Sequence, residues 1–505
     1  MLPARCGIPV CNRNVTALCA LAASLAVCSY FSGPAVAQFT LPQIELPEIS
    51  VPDPAPDAAP QYLRRDPWNF SRPAAPPPAP TQTPAEAPTL WDACLKPTDA
   101  LAAVNACSEF AEDESQPAQR RAEAYFIRAR AYEAQNQTIA AIADLGASIE
   151  FNPKYPAAYY LRGSLWKHSQ NYDLAIKDFS AALALNPKSL QYLIERGVAY
   201  RGKKDAKRSF DDLNRALKIN PKSELVYYER GLTYLSIQQY AEASADLERA
   251  LTLNPKFALA RFALGNVKHA KRDLTGAIDA YNDAVRIDPS IELYIASARG
   301  LAQLEIGNCQ GAISDFSKAL TLNAKSLSAL RNRGICHHRV GMYDEAVADF
   351  TRAIYITPSD ATLFGERGNS FLYGKDVATA ERDITHALKL DPKNATALQS
   401  RAHLRIVQKR YQDALADFDA VIAARPSSEL RGERLWLFIA AGDLKGAERE
   451  IEALLGQSND AAALFARGYL RVRSGEHASG KKDMIEAVKR DSSLPYRLSI
   501  YGLEF

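Results

Sequence analysis

Ten arginines in this 505-residue chain each stand sixteen residues before an acid: Arg128 with Asp144, Arg162 with Asp178, Arg196 with Asp212, Arg230 with Asp246, Arg299 with Asp315, Arg333 with Asp349, Arg367 with Asp383, Arg401 with Asp417, Arg434 with Glu450 and Arg467 with Asp483. A guanidinium brought level with a carboxylate forms paired, charge-assisted hydrogen bonds, which is clasping chemistry rather than catalysis. One position of the same series carries Leu264 and Ala280 instead. Losing both partners together suits a partly buried pair, because a stranded charge costs roughly 3–5 kcal/mol whereas an apolar replacement of both is nearly neutral. A row of arginines reading an acidic ligand would not require the acid, so these are read as structural ion pairs. Cys336, His337 and His338 are consecutive; on a helix they point about 100° apart and cannot converge on one metal ion. A lone His269 or His338 reads as a polar surface residue. The chain has no phosphate loop, dinucleotide fingerprint, His-Glu-x-x-His or nucleophile elbow, so no catalytic, metal-binding or cofactor-binding residue is assigned.

The elements that must position the clasps follow from a second period. Asn152-Pro153, Asn186-Pro187, Asn220-Pro221, Asn254-Pro255, Asp288-Pro289, Thr357-Pro358, Asp391-Pro392 and Arg425-Pro426 fall on a 34-residue grid that slips once by one residue near Ile291. A fixed period of that size means one supersecondary unit stacked many times. Before each Pro lie two stretches with apolar residues at helical spacing, as in residues 158–163 and 172–183, so each unit is a helical hairpin. The two clasp positions lie equally far on either side of the hairpin turn, and antiparallel helices bring them level. Gly163 recurs as Gly197, Gly231, Gly265, Gly300, Gly334, Gly368 and Gly468, and Ala175 as Ala243, Ala277, Ala312, Ala346 and Ala414. Small residues on both helices fit a close crossing.

The glycine, Tyr200 and Tyr234, the alanine, Phe179, Phe316, Phe350 and Phe418, and the closing Pro together resemble the tetratricopeptide repeat. The likeness covers about three quarters of the chain, from near Arg121 to near Arg490, in about eleven repeats with the tenth and eleventh degenerate. It implies an all-α, right-handed α-solenoid superhelix whose first helices line a concave groove that binds protein segments. The Arg before the glycine departs from the common pattern, which has an aliphatic residue there. By repeat position the resemblance implies a groove of Tyr160, Lys167, Ile194, Arg201, Tyr228, Leu235, Phe262, Asn266, His269, Arg331, His338 and Asn369. These do not reproduce the family's basic-and-asparagine clamp for a C-terminal carboxylate. Tyr160, Tyr228 and Phe262 would offer apolar shelves to an extended segment or a helix, or else pack against adjacent first helices.

Arg5 and Arg13 precede an apolar run from Val15 to Val27, and Ala35-Val36-Ala37 offers a small-x-small cleavage site, so residues 1–37 read as a signal peptide. The run is shorter than the ~20 residues a membrane span needs, and no transmembrane helix is expected in the mature chain. Export to a bacterial periplasm, or secretion, after cleavage near Ala37 is the expectation. Of eight cysteines, Cys94, Cys107, Cys309 and Cys336 would remain in an oxidising compartment. Cys94 and Cys107 are expected to pair within a helical N-terminal cap, residues 91–120. Cys309 and Cys336 either pair between neighbouring antiparallel helices or stay as buried thiols. Residues 38–90 form a disordered linker, with fourteen prolines between Gln38 and Pro88. Within it, Tyr62, Trp68 and Phe70 mark a possible second docking motif or a sticky patch.

The net charge of +3, or +1 without Arg5 and Arg13, gives no nucleic-acid footprint. The array occupies residues 121–490 and leaves no free stretch of ~100–150 residues for an enzyme domain. Residues 491–505 hold Leu494, Tyr496, Leu498, Ile500, Leu503 and Phe505, enough apolar area to cap the open end of a solenoid. The expectation is therefore an exported, non-enzymatic protein-interaction scaffold without cofactor. The alternatives are an accessory subunit of a polysaccharide or peptidoglycan assembly machine, or a carbohydrate-binding or hydrolytic envelope protein. The last would need paired acids facing the groove, and the repeated acids are matched to arginines.

Overall fold

The structure is a computed structural model that describes residues 90–95, 99–457, 460–491 and 494. Residues 1–89, on which the expected signal peptide, nearly all of the expected linker and the Tyr62, Trp68 and Phe70 motif fall, lie outside the described residues, as do 96–98, 458–459, 492–493 and 495–505. Among those described there are 24 α-helices and no strand. They divide into two compact units, one ending at Ile291 and the other beginning at Glu292.

The first unit opens with α1 (Leu90–Leu95) and α2 (Ala100–Glu112). Five hairpins follow: α3 (Ala118–Ala134) with α4 (Thr138–Phe151), α5 (Pro156–His168) with α6 (Tyr172–Leu185), α7 (Leu190–Gly202) with α8 (Ala206–Ile219), α9 (Glu224–Ser236) with α10 (Tyr240–Leu253), and α11 (Ala258–Ala270) with α12 (Leu274–Ile287). The second unit holds six: α13 (Glu292–Glu305) with α14 (Cys309–Leu322), α15 (Leu327–Arg339) with α16 (Tyr343–Ile356), α17 (Ala361–Tyr373) with α18 (Val377–Leu390), α19 (Ala395–Val407) with α20 (Tyr411–Ala424), α21 (Ser428–Ala440) with α22 (Leu444–Gln457), and α23 (Ala461–Arg473) with α24 (His477–Arg490). The slip in the period is taken up in α13, which has fourteen residues where the first helices from α15 onward have thirteen.

Local chemistry ends the helices. Each of the eleven hairpin turns puts one residue at positive φ, yet only Gly307, Gly341, Gly442 and Gly475 are glycines; Asn136, Gln170, Lys204, Gln238, Arg272, Lys375 and Lys409 fill the other turns. In the first, the Asn136 N–H donates to the Glu133 carbonyl and that of Gln137 to Tyr132, the paired bonds that close a helix on a left-handed residue. In five other turns the residue after it caps the second helix with its side chain, as Asp205, Asp273, Asn308, Asp376 and Asp443 do by accepting from the backbone N–H three residues on. Between hairpins the side chains of Asn152, Asn220, Asn254 and Asp391 accept from the backbone N–H two residues on, the turn the Asn/Asp-Pro spacing marks.

In eight of the eleven hairpins the two helices cross over the recurrent glycine, which Ala129, Ala402 and Leu435 replace in the others. A Cβ on Gly163 would lie 2.9 Å from the Phe179 ring, and the same overlap meets Leu247 at Gly231, Tyr281 at Gly265, Phe350 at Gly334 and Met484 at Gly468. One residue before seven of these eight glycines sits the arginine, Gly265 following Leu264 instead. Nε of Arg162 donates to Asp178 Oδ2 at 2.8 Å and Nη2 to Oδ1 at 2.8 Å. Arg196 and Asp212, Arg230 and Asp246, and Arg333 and Asp349 make the same fork at 2.6–2.8 Å. The acids Asp178, Asp212, Asp246 and Asp349 are all buried. The remaining six pairs are also joined, Arg434 to Glu450 through Nη2 alone.

The third guanidinium nitrogen does something the sixteen-residue spacing did not disclose. Nη1 of Arg196, Arg230, Arg333 and Arg367 donates to Ser180, Asn214, Ser317 and Thr351, each sixteen residues earlier on the second helix of the preceding hairpin. Arg128 likewise reaches Ser108 on α2. Each of these arginines therefore joins three helices and two hairpins, so the clasp couples neighbours as well as closing its own repeat. In the exceptional hairpin Leu264 and Ala280 are buried, and the Tyr281 hydroxyl donates to Asn266 Oδ1 at 2.8 Å.

At the first end, the sulfurs of Cys94 and Cys107 lie at bonding distance, 1.99 Å, in a small core with Trp91 and Phe110. At the other end Leu494 is buried in the same apolar cluster as Met484 and Ala487 of α24.

Candidate functional site

The face of the first helices in the first unit is more closed than the repeat positions suggest. Tyr228 and Phe262 are buried, Tyr228 against Phe257 with ring centroids 5.0 Å apart and Phe262 against Tyr281 at 5.6 Å. Ile194 is buried as well. Tyr160 is half-buried, stacked on Tyr192 at 5.2 Å, and its hydroxyl accepts from Gln191 Nε2 at 2.7 Å. Of the two expectations for these aromatics, packing is the one met: Tyr160 and Tyr228 lie against residues of the following hairpin and Phe262 against Tyr281 on the second helix of its own, so they do not stand open as shelves. Asn266 is buried on the Tyr281 hydroxyl, which removes it too from the open face.

Polar residues four after the glycine span hairpins. Lys167 Nζ lies 3.0 Å from Glu195 Oε2, and Arg201 Nη1 lies 2.8 Å from Glu229 Oε2 and 3.0 Å from the Glu229 carbonyl. At the next step of this 28-residue spacing stand Leu235 and Ala263, so both charges are replaced together here as well. Leu235 and His269 remain half-exposed. Lys167 and Arg201 are mostly covered, with their heads already engaged.

In the second unit the corresponding residues meet in a polar relay across four successive first helices. His338 on α15 lies with Nδ1 3.1 Å from Ser370 Oγ and Nε2 3.5 Å from Asn369 Nδ2 on α17. Asn369 Oδ1 is 3.4 Å from His403 Nδ1 on α19, and His403 Nε2 is 3.0 Å from Glu433 Oε2 on α21. Asn369 thus turns its amide N–H toward one imidazole and its carbonyl oxygen toward the other. Tyr343 and Tyr373 stand edge-on to His338 at 5.5 and 5.3 Å. Alongside, Arg331 Nη2 pairs with Glu366 Oε1 at 3.0 Å. Arg331, His338 and Asn369 are therefore brought together by the repeat geometry. His403 was missed because Ala402 replaces the glycine that sets the register, though it stands one residue after Ala402 as Asn369 does after Gly368.

The three consecutive residues on α15 diverge. Cys336 turns toward Cys309, His337 Nδ1 lies 3.0 Å from Asp349 beside the Arg333 clasp, and His338 enters the relay.

Burial first, and then the neighbouring His403 and Arg339, push the His338 imidazole down to about 4. The folded value lies below the ordinary 6.5, so between the two the unfolded chain binds the extra proton. Stability from this site is complete above about pH 6.5 and is lost as pH falls toward about 4. His338→Gln should flatten that part of the stability profile relative to the parent chain, as followed by urea unfolding from pH 4 to 7. An unchanged slope would contradict the assignment.

Tetratricopeptide repeat models match residues 122–155, 156–189, 228–290, 297–361 and 366–429, about half of the chain. The chain belongs to the tetratricopeptide repeat family. Among solved structures it is similar to YrrB, described as a tetratricopeptide repeat protein with an unusual peptide-binding site, at 23% identity over 37% of this chain and 97% of that one, with a TM-score of 0.36. A tetratricopeptide repeat protein from Parabacteroides merdae is 22% identical over 50% of this chain and 98% of that one, TM-score 0.37. Yeast Tom70 is 14% identical over 75% and 94%, TM-score 0.40. No curated protein matches the sequence.

Proposed function

We propose that this tetratricopeptide repeat protein is a non-enzymatic scaffold that takes up a protein segment along its first-helix faces, and that it does so outside the cytoplasm. The observation that carries the reading is the relay from His338 through Asn369 and His403 to Glu433, which pre-orients half-buried polar groups from four successive helices along one face. Such ordering lowers the conformational cost of binding. In the first unit the half-exposed Leu235 supplies an apolar contact for the same kind of segment. Export is supported by the signal-like sequence of residues 1–37 and by the Cys94–Cys107 pair, which suits an oxidising compartment. Tyr62, Trp68 and Phe70 would give a second docking motif ahead of the array.

The test is recovery of host envelope proteins on the immobilised chain, compared with Leu235→Glu and with His403→Ala. Both residues are partly exposed, so both variants should keep the parent far-ultraviolet circular dichroism. A protein retained by the parent chain and reduced tenfold or more by either variant is the expected result. An identical set retained by all three would contradict the reading.

A further inference from the structure

Cys309 and Cys336 are unused by the repeat clasps and by the proposed partner faces. Cys309 is the first residue of α14, immediately after the capping Asn308, and Cys336 lies in the last turns of α15 in the next hairpin. Both thiols are buried in one apolar cluster with Leu304, Phe316 and Leu330, where α14 and α15 pack on each other. We propose that Cys309 and Cys336 form a second, reversible dithiol–disulfide site that links consecutive hairpins of the second unit, with Cys309 as the attacking thiol and Cys336 as the resolving one.

The asymmetry of the two positions assigns the roles. Cys309 retains slight exposure, 6%, whereas Cys336 has none. The α14 N-terminus favours a negative sulfur at Cys309. The neighbouring Cys336 thiol lowers the Cys309 thiol, and the charge of Arg339 acts in the same direction, while Cys309 and burial raise the Cys336 thiol. In the exchange, the Cys309 thiolate attacks one sulfur of a small or protein disulfide, forming a mixed disulfide and expelling a thiolate that takes up a proton. Cys336 then loses its proton and attacks the Cys309 sulfur, closing the Cys309–Cys336 bond and expelling the second donor thiolate. The two protein thiols are oxidised and the donor disulfide is reduced to two thiols. The new bond would fasten α14 to the helix that carries Arg331 and His338, so it would hold that part of the first-helix face against opening. This inference does not depend on the partner reading.

The test exposes the native full chain to oxidised glutathione at neutral pH, blocks remaining thiols, and maps peptides without reduction. Cys309 and Cys336 should be recovered linked to each other, reversibly with dithiothreitol, with the Cys94–Cys107 link retained. In Cys336→Ala, Cys309 should accumulate as a mixed disulfide with glutathione; in Cys309→Ser, Cys336 should react at least tenfold more slowly than Cys309 does. Absence of the link at every glutathione ratio would overturn the site. So would links scrambled to Cys94 or Cys107, and equal rates for the two single variants would overturn the assigned roles.

Discussion

Arg230→Ala is expected to lower the stability of the first unit by about 3–5 kcal/mol, whereas Arg230→Leu combined with Asp246→Ala should recover much of that loss. The asymmetry follows from what each change leaves behind. With the arginine gone, Asp246 keeps two carboxylate oxygens in a buried position, 6% exposed, with both fork bonds removed. Water reaches such a group poorly, and its neighbours are the apolar residues of the helix crossing. The double change leaves no charge to strand and copies a hairpin the chain already contains, where Leu264 and Ala280 are buried five and four per cent exposed. Recovery should be incomplete, because Asn214 also loses the hydrogen bond it accepts from Arg230 Nη1. A double-mutant cycle on urea unfolding gives the coupling directly. If the double change costs as much as the two single changes added together, the clasp does not bear on stability in this way.

Trp436→Ala should be the most damaging single change in the later hairpins, at about 3–5 kcal/mol, while Trp436→Phe should cost about 1 kcal/mol or less. Trp436 on α21 is 2% exposed, with its ring 6.1 Å from Phe465 in an edge-on contact. It lies in the cluster that runs from Leu398 to Leu494, so truncation opens a cavity where three hairpins share one core. Its Nε1 is buried without a hydrogen-bond partner among the described residues. A phenyl ring therefore forfeits volume but no hydrogen bond, and it removes an unsatisfied donor. Chemical unfolding of the three proteins checks the order. A Phe variant as unstable as the Ala variant would mean that the indole nitrogen is engaged after all.

How far the chain could be read from its residues depended on whether a partner lay inside one period. The Arg–acid clasps and the glycine crossings join positions within one hairpin, so a constant spacing of sixteen repeats them down the chain. The Nη1 contacts leave the repeat, and their acceptors vary among Ser180, Asn214, Ser317 and Thr351 because any small hydroxyl or amide oxygen serves. No single residue identity announces them, since serine, asparagine and threonine all serve. The turn residues are obscured for a similar reason: Lys204, Lys375 and Lys409 accept a left-handed backbone at modest cost where glycine would have marked the turn. Position along the repeat located the first-helix face, but it could not distinguish Tyr228 and Phe262, which pack sideways against neighbours, from Leu235, which stays partly open. That difference arises from how far successive hairpins rotate, which side-chain volumes across two repeats decide together.

Photocrosslinking in the host bears most directly on the central claim that the first-helix face is where a partner binds. A photoreactive phenylalanine analogue placed at Tyr373 on α17, 39% exposed and edge-on to His338, is compared with one at Tyr355, 87% exposed on the second helix α16. The Tyr373 position should yield a discrete crosslinked protein that disappears in the His403→Ala background, with Tyr355 yielding none. Crosslinks to the same protein from Tyr355 alone would place binding on the opposite set of helices and contradict the account.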